Sequence, residues 1–230
     1  MKKILLILTI FSFMISCNGQ EKALSDEPLK LENFDFNTKI STLLPDKNKS
    51  KNYDGYYDIK SELMEVDTIN DGDYIGNEKP IRIEYRERSY SSGDILATFE
   101  DFDFNAINLA TTLDGKIMVV NALIGEISLK ETQRFIKLLD KKFGKSTKTK
   151  GDFIKPFDIY TWKYKDRIIK YCIVRNDENN TLKIVVDKEN KTIVNEKKEP
   201  HFEAYIYLIK NEYADKVIGK MRTGDLIYCD

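Results

Sequence analysis

The acidic stretch DTINDGDYIGNE carries oxygen ligands at spacings that suit calcium. Asp67, Asp71 and Glu78 stand at the first, fifth and twelfth positions of an EF-hand-like loop, and Asp73 is a further carboxylate. Ile69 occupies the third position, where that loop uses an oxygen ligand. The sequence therefore favours an acidic turn at Asp71 over a metal site. No cofactor is predicted, and calcium is kept as an alternative.

Three tyrosines lie among acidic residues shortly before this stretch. Tyr53, Tyr56 and Tyr57 are interspersed with Asp54 and Asp58. Aromatic rings beside carboxylates can stack on sugars, and tyrosine is also abundant at protein interfaces. The three tyrosines form a candidate ligand loop, with ordinary loop packing as the alternative.

Catalytic signatures are sparse along the chain. His201 is the single histidine, whereas Ser-His-Asp and Cys-His systems need a positioned base and zinc sites commonly use several imidazoles. No G-x-S-x-G, H-E-x-x-H, C-x-x-C or glycine-rich phosphate loop occurs. No catalytic residue is predicted, although a carboxylate pair of the glycosidase kind is a further alternative that sequence does not locate.

Two cysteines lie in the C-terminal half of the chain. Cys172 stands in an apolar run typical of a strand, and Cys229 is the penultimate residue. Exported compartments permit disulfides, so these two residues are a candidate pair. The alternative is a buried thiol and a separate terminal one, because spacing does not show whether they meet.

The N-terminus has the three parts of an export signal. Lys2 and Lys3 precede an apolar run from Ile4 to Ile15, after which the chain turns polar. This run is too short to span a bilayer, which needs about 20 residues. Residues 1–16 are therefore predicted to be a signal peptide.

A cysteine follows directly after this signal. Ser16-Cys17 resembles the lipobox of bacterial lipoproteins, with Met14 where that motif prefers leucine. The resemblance implies that the Cys17 thiol receives a diacylglyceryl group, that cleavage occurs before it, and that the new amine is acylated. The alternative is an ordinary secretory signal with a chance cysteine.

Composition limits the class of protein. Of 230 residues, 41% are hydrophobic, with 13 Tyr and 12 Phe, which is enough for a packed core. Basic and acidic side chains number 37 and 38, for a formal net charge of −1. No extreme charge balance points to nucleic acid as a partner, so nucleic-acid binding is set aside.

Local patterns predict several elements beyond residue 80. Residues 81–85 alternate like a half-buried strand, and Asp114-Gly115 joins two apolar runs as a hairpin turn. Ser128 and Glu131 form a capping box for a helix that ends near Gly144. A run of strands follows this helix.

These elements predict an α+β fold. We expect a hairpin, one main helix and then a β-meander, with the helix packed on one face of an antiparallel sheet. Residues 17–36 read as a flexible tether without core positions, and residues 37–230 as a single domain. Residues 37–80 either extend the sheet or form a smaller N-terminal lobe.

Together these features favour a binding role without catalysis. We expect a lipid-anchored envelope protein that recognises another protein, as an immunity-type inhibitor or an accessory subunit. Carbohydrate or calcium binding and a carboxylate-based hydrolase are the alternatives. Surface-exported lipoproteins of the Bacteroidota carry dense acidic residues after the cysteine, whereas residues 18–22 are mixed, so a periplasm-facing position at the outer membrane is favoured.

Overall fold

The computed structural model describes residues 22–71, 79–88, 93–153, 155–176, 181–186, 191–196 and 201–229. Strands account for 49% and helices for 22% of the structure. The strands are β1 Leu29–Lys30, β2 Tyr56–Ile59, β3 Glu62–Asp71, β4 Lys79–Glu87, β5 Ala97–Phe99, β6 Phe102–Phe104, β7 Ala106–Thr111, β8 Ile117–Ile127, β9 Thr147–Phe153, β10 Lys155–Tyr164, β11 Arg167–Asn176, β12 Thr181–Val186, β13 Lys191–Glu196 and β14 His201–Lys210.

The helices are few and mostly short. The α-helices are α1 Ile40–Leu43, α2 Leu129–Phe143 and α3 Ala214–Val217. Single 3₁₀ turns cover Leu31–Asn33, Asp46–Asn48, Asn211–Tyr213 and Gly224–Tyr228.

The main element is a nine-stranded antiparallel sheet with the order β2-β3-β4-β7-β8-β14-β11-β10-β9. The predicted α+β fold, with a hairpin, one main helix and a meander, is therefore wrong. The chain is mostly β-sheet with small helices, and β14 lies between β8 and β11 instead of continuing a meander. This order depends on pairing between distant residues, which local patterns do not encode.

Two strands of the sheet, β3 and β9, were not predicted. Their charged residues hide the alternation of apolar and polar residues that indicates a strand. On β3, Glu65 pairs with Arg86 of the neighbouring β4 at 3.3 Å. On the edge strand β9, Lys148 pairs with Asp158 of β10 at 2.9 Å. Cross-strand ion pairs let charged side chains occupy strand positions, and lysine also protects an edge strand from further pairing.

The main core lies on the face of the sheet that carries α2. Ser128 and Glu131 form the predicted capping box, which the structure confirms. Phe135 of α2 is fully buried, and its ring centroid lies 4.9 Å from that of Tyr171 on β11. The indole nitrogen of Trp162 donates to Asp140 at 2.9 Å, so the far end of α2 is also fixed to the sheet.

Residues 22–36, which we call the N-terminal segment, complete this core. Leu24 is fully buried, and Leu31 and Phe34 are each only 1% exposed. The Leu24 amide donates to the carbonyl oxygen of Leu43 at 3.0 Å. The expectation that residues 17–36 contain no core position is therefore wrong from Ala23 onward. An irregular segment can bury apolar side chains without any periodic pattern in its sequence.

The opposite face of the sheet is covered in part by residues 211–229, which we call the C-terminal segment. Val217 and Leu226 are fully buried in a second cluster with Tyr207 of β14. The Tyr207 hydroxyl donates to the backbone oxygen of Asp225, which satisfies a buried polar group. Both faces of the central strands are therefore covered.

The remaining strands form two small sheets. One has the order β1-β5-β6, and its β1–β5 pair is parallel. Strands β12 and β13 pair with each other. In the main sheet, the hairpin predicted at Asp114-Gly115 is confirmed between β7 and β8, with Gly115 at a φ of 80°.

Candidate functional site

A cleft of about 640 Å³ opens between the β3–β4 pair and the C-terminal segment. We call it the basic cleft, because four cationic side chains and two carboxylates line it. Its lining residues are Ile69, Asn70, Asp71, Ile81, Arg82, Met118, Asp215, Lys216, Lys220, Arg222 and Thr223.

A buried ion pair fixes one wall of the basic cleft. The Arg82 Nε donates to Glu84 Oε1 at 2.7 Å, and the two side chains are only 6% and 0% exposed. The hydroxyl of Thr223 donates to the other oxygen of Glu84, and an Arg82 Nη2 contacts the backbone oxygen of Lys220 at 3.5 Å. The C-terminal segment is thereby joined to β4 by polar contacts that are shielded from water.

Three further cations stand at the mouth of the basic cleft. Lys216, Lys220 and Arg222 are exposed, and none of them forms an ion pair with the residues that the structure describes. The Nζ of Lys216 lies 6.0 Å from the ring centroid of Tyr213. Asp71 and Asp215 are the two carboxylates among the described lining residues, so cations outnumber carboxylates in the described part of the cleft.

The basic cleft also has an apolar side. Ile81 is 42% exposed. Ile69 and Met118 lie beside it. Cations next to accessible aliphatic surface can bind an anionic group whose neighbouring atoms are apolar.

Glu87 is a second unusual group, near the other end of β4. Its side chain is buried, its Oε2 accepts from the Ile107 amide at 3.1 Å, and its Oε1 has no hydrogen-bond partner among the described residues. Burial raises the pKa of Glu87 to about 8, with a smaller contribution from the carboxylates of Glu62, Asp225 and Asp94. This carboxyl group is therefore held mainly in its neutral form at pH 7.

The structure separates Tyr57 from the other two candidate tyrosines, Tyr53 and Tyr56. Tyr53 is 54% exposed and packs edge-on against Tyr56 at 5.9 Å between centroids. The Tyr56 hydroxyl donates to Glu65 at 3.0 Å. Tyr57 packs against the main core instead. Because neighbouring residues on β2 point to opposite faces, the three rings do not line one ligand surface.

The candidate calcium ligands are only partly within the described residues. Asp67 pairs with Arg86, and Asp71 ends the same extended strand, so the two Cα atoms lie roughly 13 Å apart. Asp73 and Glu78 lie outside the described residues. Asp67 and Asp71 therefore do not converge as neighbouring ligands of one calcium loop. Within the described residues, no group of three or more His, Cys, Asp and Glu side chains could hold a metal ion.

His201 and the two cysteines have distinct settings. His201 is the first residue of β14, where it pairs with Asn176 of β11. Cys172 and Cys229 are both buried in the second cluster, and the sulfur of Cys172 lies 3.2 Å from the Tyr228 carbonyl oxygen. Both cysteines thus lie in one buried cluster, and a disulfide between them stays an open alternative to two separate thiols.

Of the residues that line the basic cleft, sequence reasoning singled out only Asp71, and it did so as a calcium candidate. Arg82 was placed correctly in an alternating strand, but alternation predicts a solvated face there, whereas Arg82 and Glu84 are buried. Three cations lie within seven residues near the C-terminus, at Lys216, Lys220 and Arg222. That grouping was the one available signal, and it resembles an ordinary solvated segment.

Among the described residues, no helix has both the length and the apolar content needed to span a bilayer. Lipidation of Cys17 falls outside the described residues and stays a prediction. No family model, curated protein or solved structure matches the chain.

Proposed function

We propose that this chain is an envelope lipoprotein, anchored through Cys17, that acts as a non-catalytic binding module for another protein. The basic cleft is the observation that supports this function. It presents Lys216, Lys220 and Arg222 without ion-pair partners among the described residues, beside accessible aliphatic surface. A partly apolar site with a charged rim is typical of protein recognition.

The scaffold around the cleft suits recognition because it is held in place on both sides. One wall belongs to the nine-stranded sheet, and the other is joined to it through Glu84 and Thr223. A site that is already in its binding conformation loses less conformational entropy on association. Inhibitors of the immunity type and accessory subunits both use such sites, and both need no chemistry.

The position of the anchor fits this function. The first buried side chain of the described residues is that of Ala23, which is 6% exposed. The residues between Cys17 and Ala23 span at most about 20 Å when fully extended. A lipid on Cys17 therefore keeps the domain close to the periplasmic surface of the outer membrane, where it meets envelope proteins or incoming toxins.

Purification of the tagged, full-length lipoprotein from its own envelope tests this function. We expect one protein to co-purify in stoichiometric amount and to bind again after the two are separated and mixed. A different lipoprotein with the same tag, purified in parallel, is the control. A preparation without a partner, or one whose companions also appear with the control, contradicts the proposed function. Inhibition of the partner's activity would assign the immunity type.

A further inference from the structure

We propose that the basic cleft binds an acidic segment of the protein partner, in which a carboxylate lies next to an aliphatic side chain. This inference rests on the proposed function and names the chemistry that the partner presents. It concerns Lys216, Lys220 and Arg222 as the groups that receive the carboxylate, and Ile81 as the apolar contact.

The charges that line the basic cleft favour an anionic ligand. Arg82 is already neutralised by Glu84 inside the wall, whereas the three cations at the mouth have no ion-pair partner among the described residues. Like charges that are gathered on one rim repel each other, and a bound anion relieves that repulsion. Asp71 and Asp215 offset only part of this charge, so an anionic ligand is favoured over a cationic one.

The apolar side of the cleft favours a peptide over a free inorganic anion. Ile81 is 42% exposed and lines the same cleft as the cations. A free inorganic anion would leave that surface in contact with water. A peptide that carries an aliphatic residue next to Asp or Glu covers it, at a gain of about 25 cal/mol for each Å² of apolar surface that is buried.

The length of the three cationic side chains suits a single carboxylate ligand. Lysine and arginine side chains extend over several bonds and carry their charge at the tip, so three of them can surround one carboxylate at the mouth of a cavity. The cavity of about 640 Å³ is large enough for two or three side chains of a partner. A short acidic segment therefore fits better than a broad flat surface.

The test uses the lipoprotein and its co-purified partner. Carbodiimide condenses a lysine amine with a nearby carboxylate into an amide, with loss of water that converts the reagent into its urea. We expect mass spectrometry to find Lys216 or Lys220 joined to an Asp or Glu of the partner. Cross-links that lie only elsewhere on the domain would overturn the inference.

A charge-reversed variant gives the matched experiment. We expect binding of the partner to weaken at least tenfold in the triple variant Lys216→Glu, Lys220→Glu, Arg222→Glu. Added salt should weaken the unmodified complex. The control reverses Lys130, Lys137 and Lys145, which are exposed around α2 on the other side of the sheet. It changes the net charge equally and should keep the affinity within about twofold. Thermal unfolding verifies that both variants fold.

The outcomes separate this inference from the proposed function. Absence of any specific partner contradicts both. A partner that binds the charge-reversed variant as well as the unmodified protein contradicts the acidic-segment inference alone. Poly-L-glutamate and inorganic phosphate serve as competitors at equal charge concentration. Release by poly-L-glutamate supports a carboxylate ligand, whereas release by phosphate alone overturns it.

Discussion

Arg82 and Glu84 lie two positions apart on β4, and their side chains meet at 2.7 Å between Nε and Oε1 while both are shielded from water. Residues i and i+2 of a strand share a face, so the pair lies along one side of the sheet. Glu84 also accepts from Thr223, which joins the C-terminal segment to this strand. One carboxylate thus holds both a buried cation and the wall of the basic cleft.

Removal of Glu84 should therefore destabilise the fold strongly. We expect Glu84→Ala to lower the free energy of unfolding by about 3–5 kcal/mol, because the Arg82 charge is then left buried without its partner. The double variant Arg82→Leu, Glu84→Leu should lose less, since no uncompensated charge remains. Urea unfolding measures both values. An equal or greater loss in the double variant would show that the ion pair itself stabilises the fold.

Glu87 should make stability depend on pH. Its pKa is about 8 in the folded protein, against an ordinary value of 4.5. Between these values the folded state keeps a proton that the unfolded state has released, so the free energy of unfolding falls as the pH rises. We expect a decline of up to about 1.4 kcal/mol per pH unit between pH 4.5 and pH 8. The stabilising contribution of the Glu87 proton is therefore full below pH 4.5 and lost above pH 8.

Glutamine at this position isolates that contribution. Glu87→Gln cannot titrate, so the decline in stability between pH 5 and pH 8 should be smaller than in the unmodified protein. The exposed Glu126→Gln is the matched control and should keep the original profile. Chemical unfolding at five or six pH values measures both. Superimposable profiles for Glu87→Gln and the unmodified protein would rule out the raised pKa.

The sequence predicted the features that depend on neighbouring residues. The capping box of Ser128 and Glu131 and the turn at Gly115 are each decided within a few positions, and both are present. The basic cleft is different, because Arg82 and Lys220 are separated by 138 positions. Their contact follows from the placement of β4 and the C-terminal segment, and no spacing along the chain encodes it.

The N-terminal segment shows the same limit. Leu24 lies in a polar stretch without periodicity, yet it is fully buried in the main core. A tether residue could be changed without effect, whereas a buried leucine could not. We expect Leu24→Ala to lower the free energy of unfolding by about 2–5 kcal/mol. Exposed Lys22→Ala is the control, and a Leu24→Ala protein as stable as that control would restore the tether interpretation.

Oxidation of the cysteine pair should stabilise the C-terminal segment. Cys172 and Cys229 are buried in one cluster, and a bridge between them would close a long loop, which typically stabilises by about 2–4 kcal/mol. We expect protein from the oxidising envelope to resist alkylation after unfolding unless it is first reduced, and reduction to lower its Tm. Cys229→Ser should have the same Tm with and without reductant. Full alkylation of the exported protein without reductant would exclude the bridge.

Cys17 should decide where the protein resides without deciding whether it folds. Cys17→Ser removes the thiol that the lipid requires, so we expect the protein to move from the membrane to the soluble fraction after cell breakage. The buried side chains of the described residues begin at Ala23, so the purified variant should unfold at the same urea concentration as the unmodified domain. Ser16→Ala keeps a small residue before the cysteine and should remain with the membrane, which makes it the matched control. Sedimentation of Cys17→Ser with membranes would show that the anchor lies elsewhere in the chain.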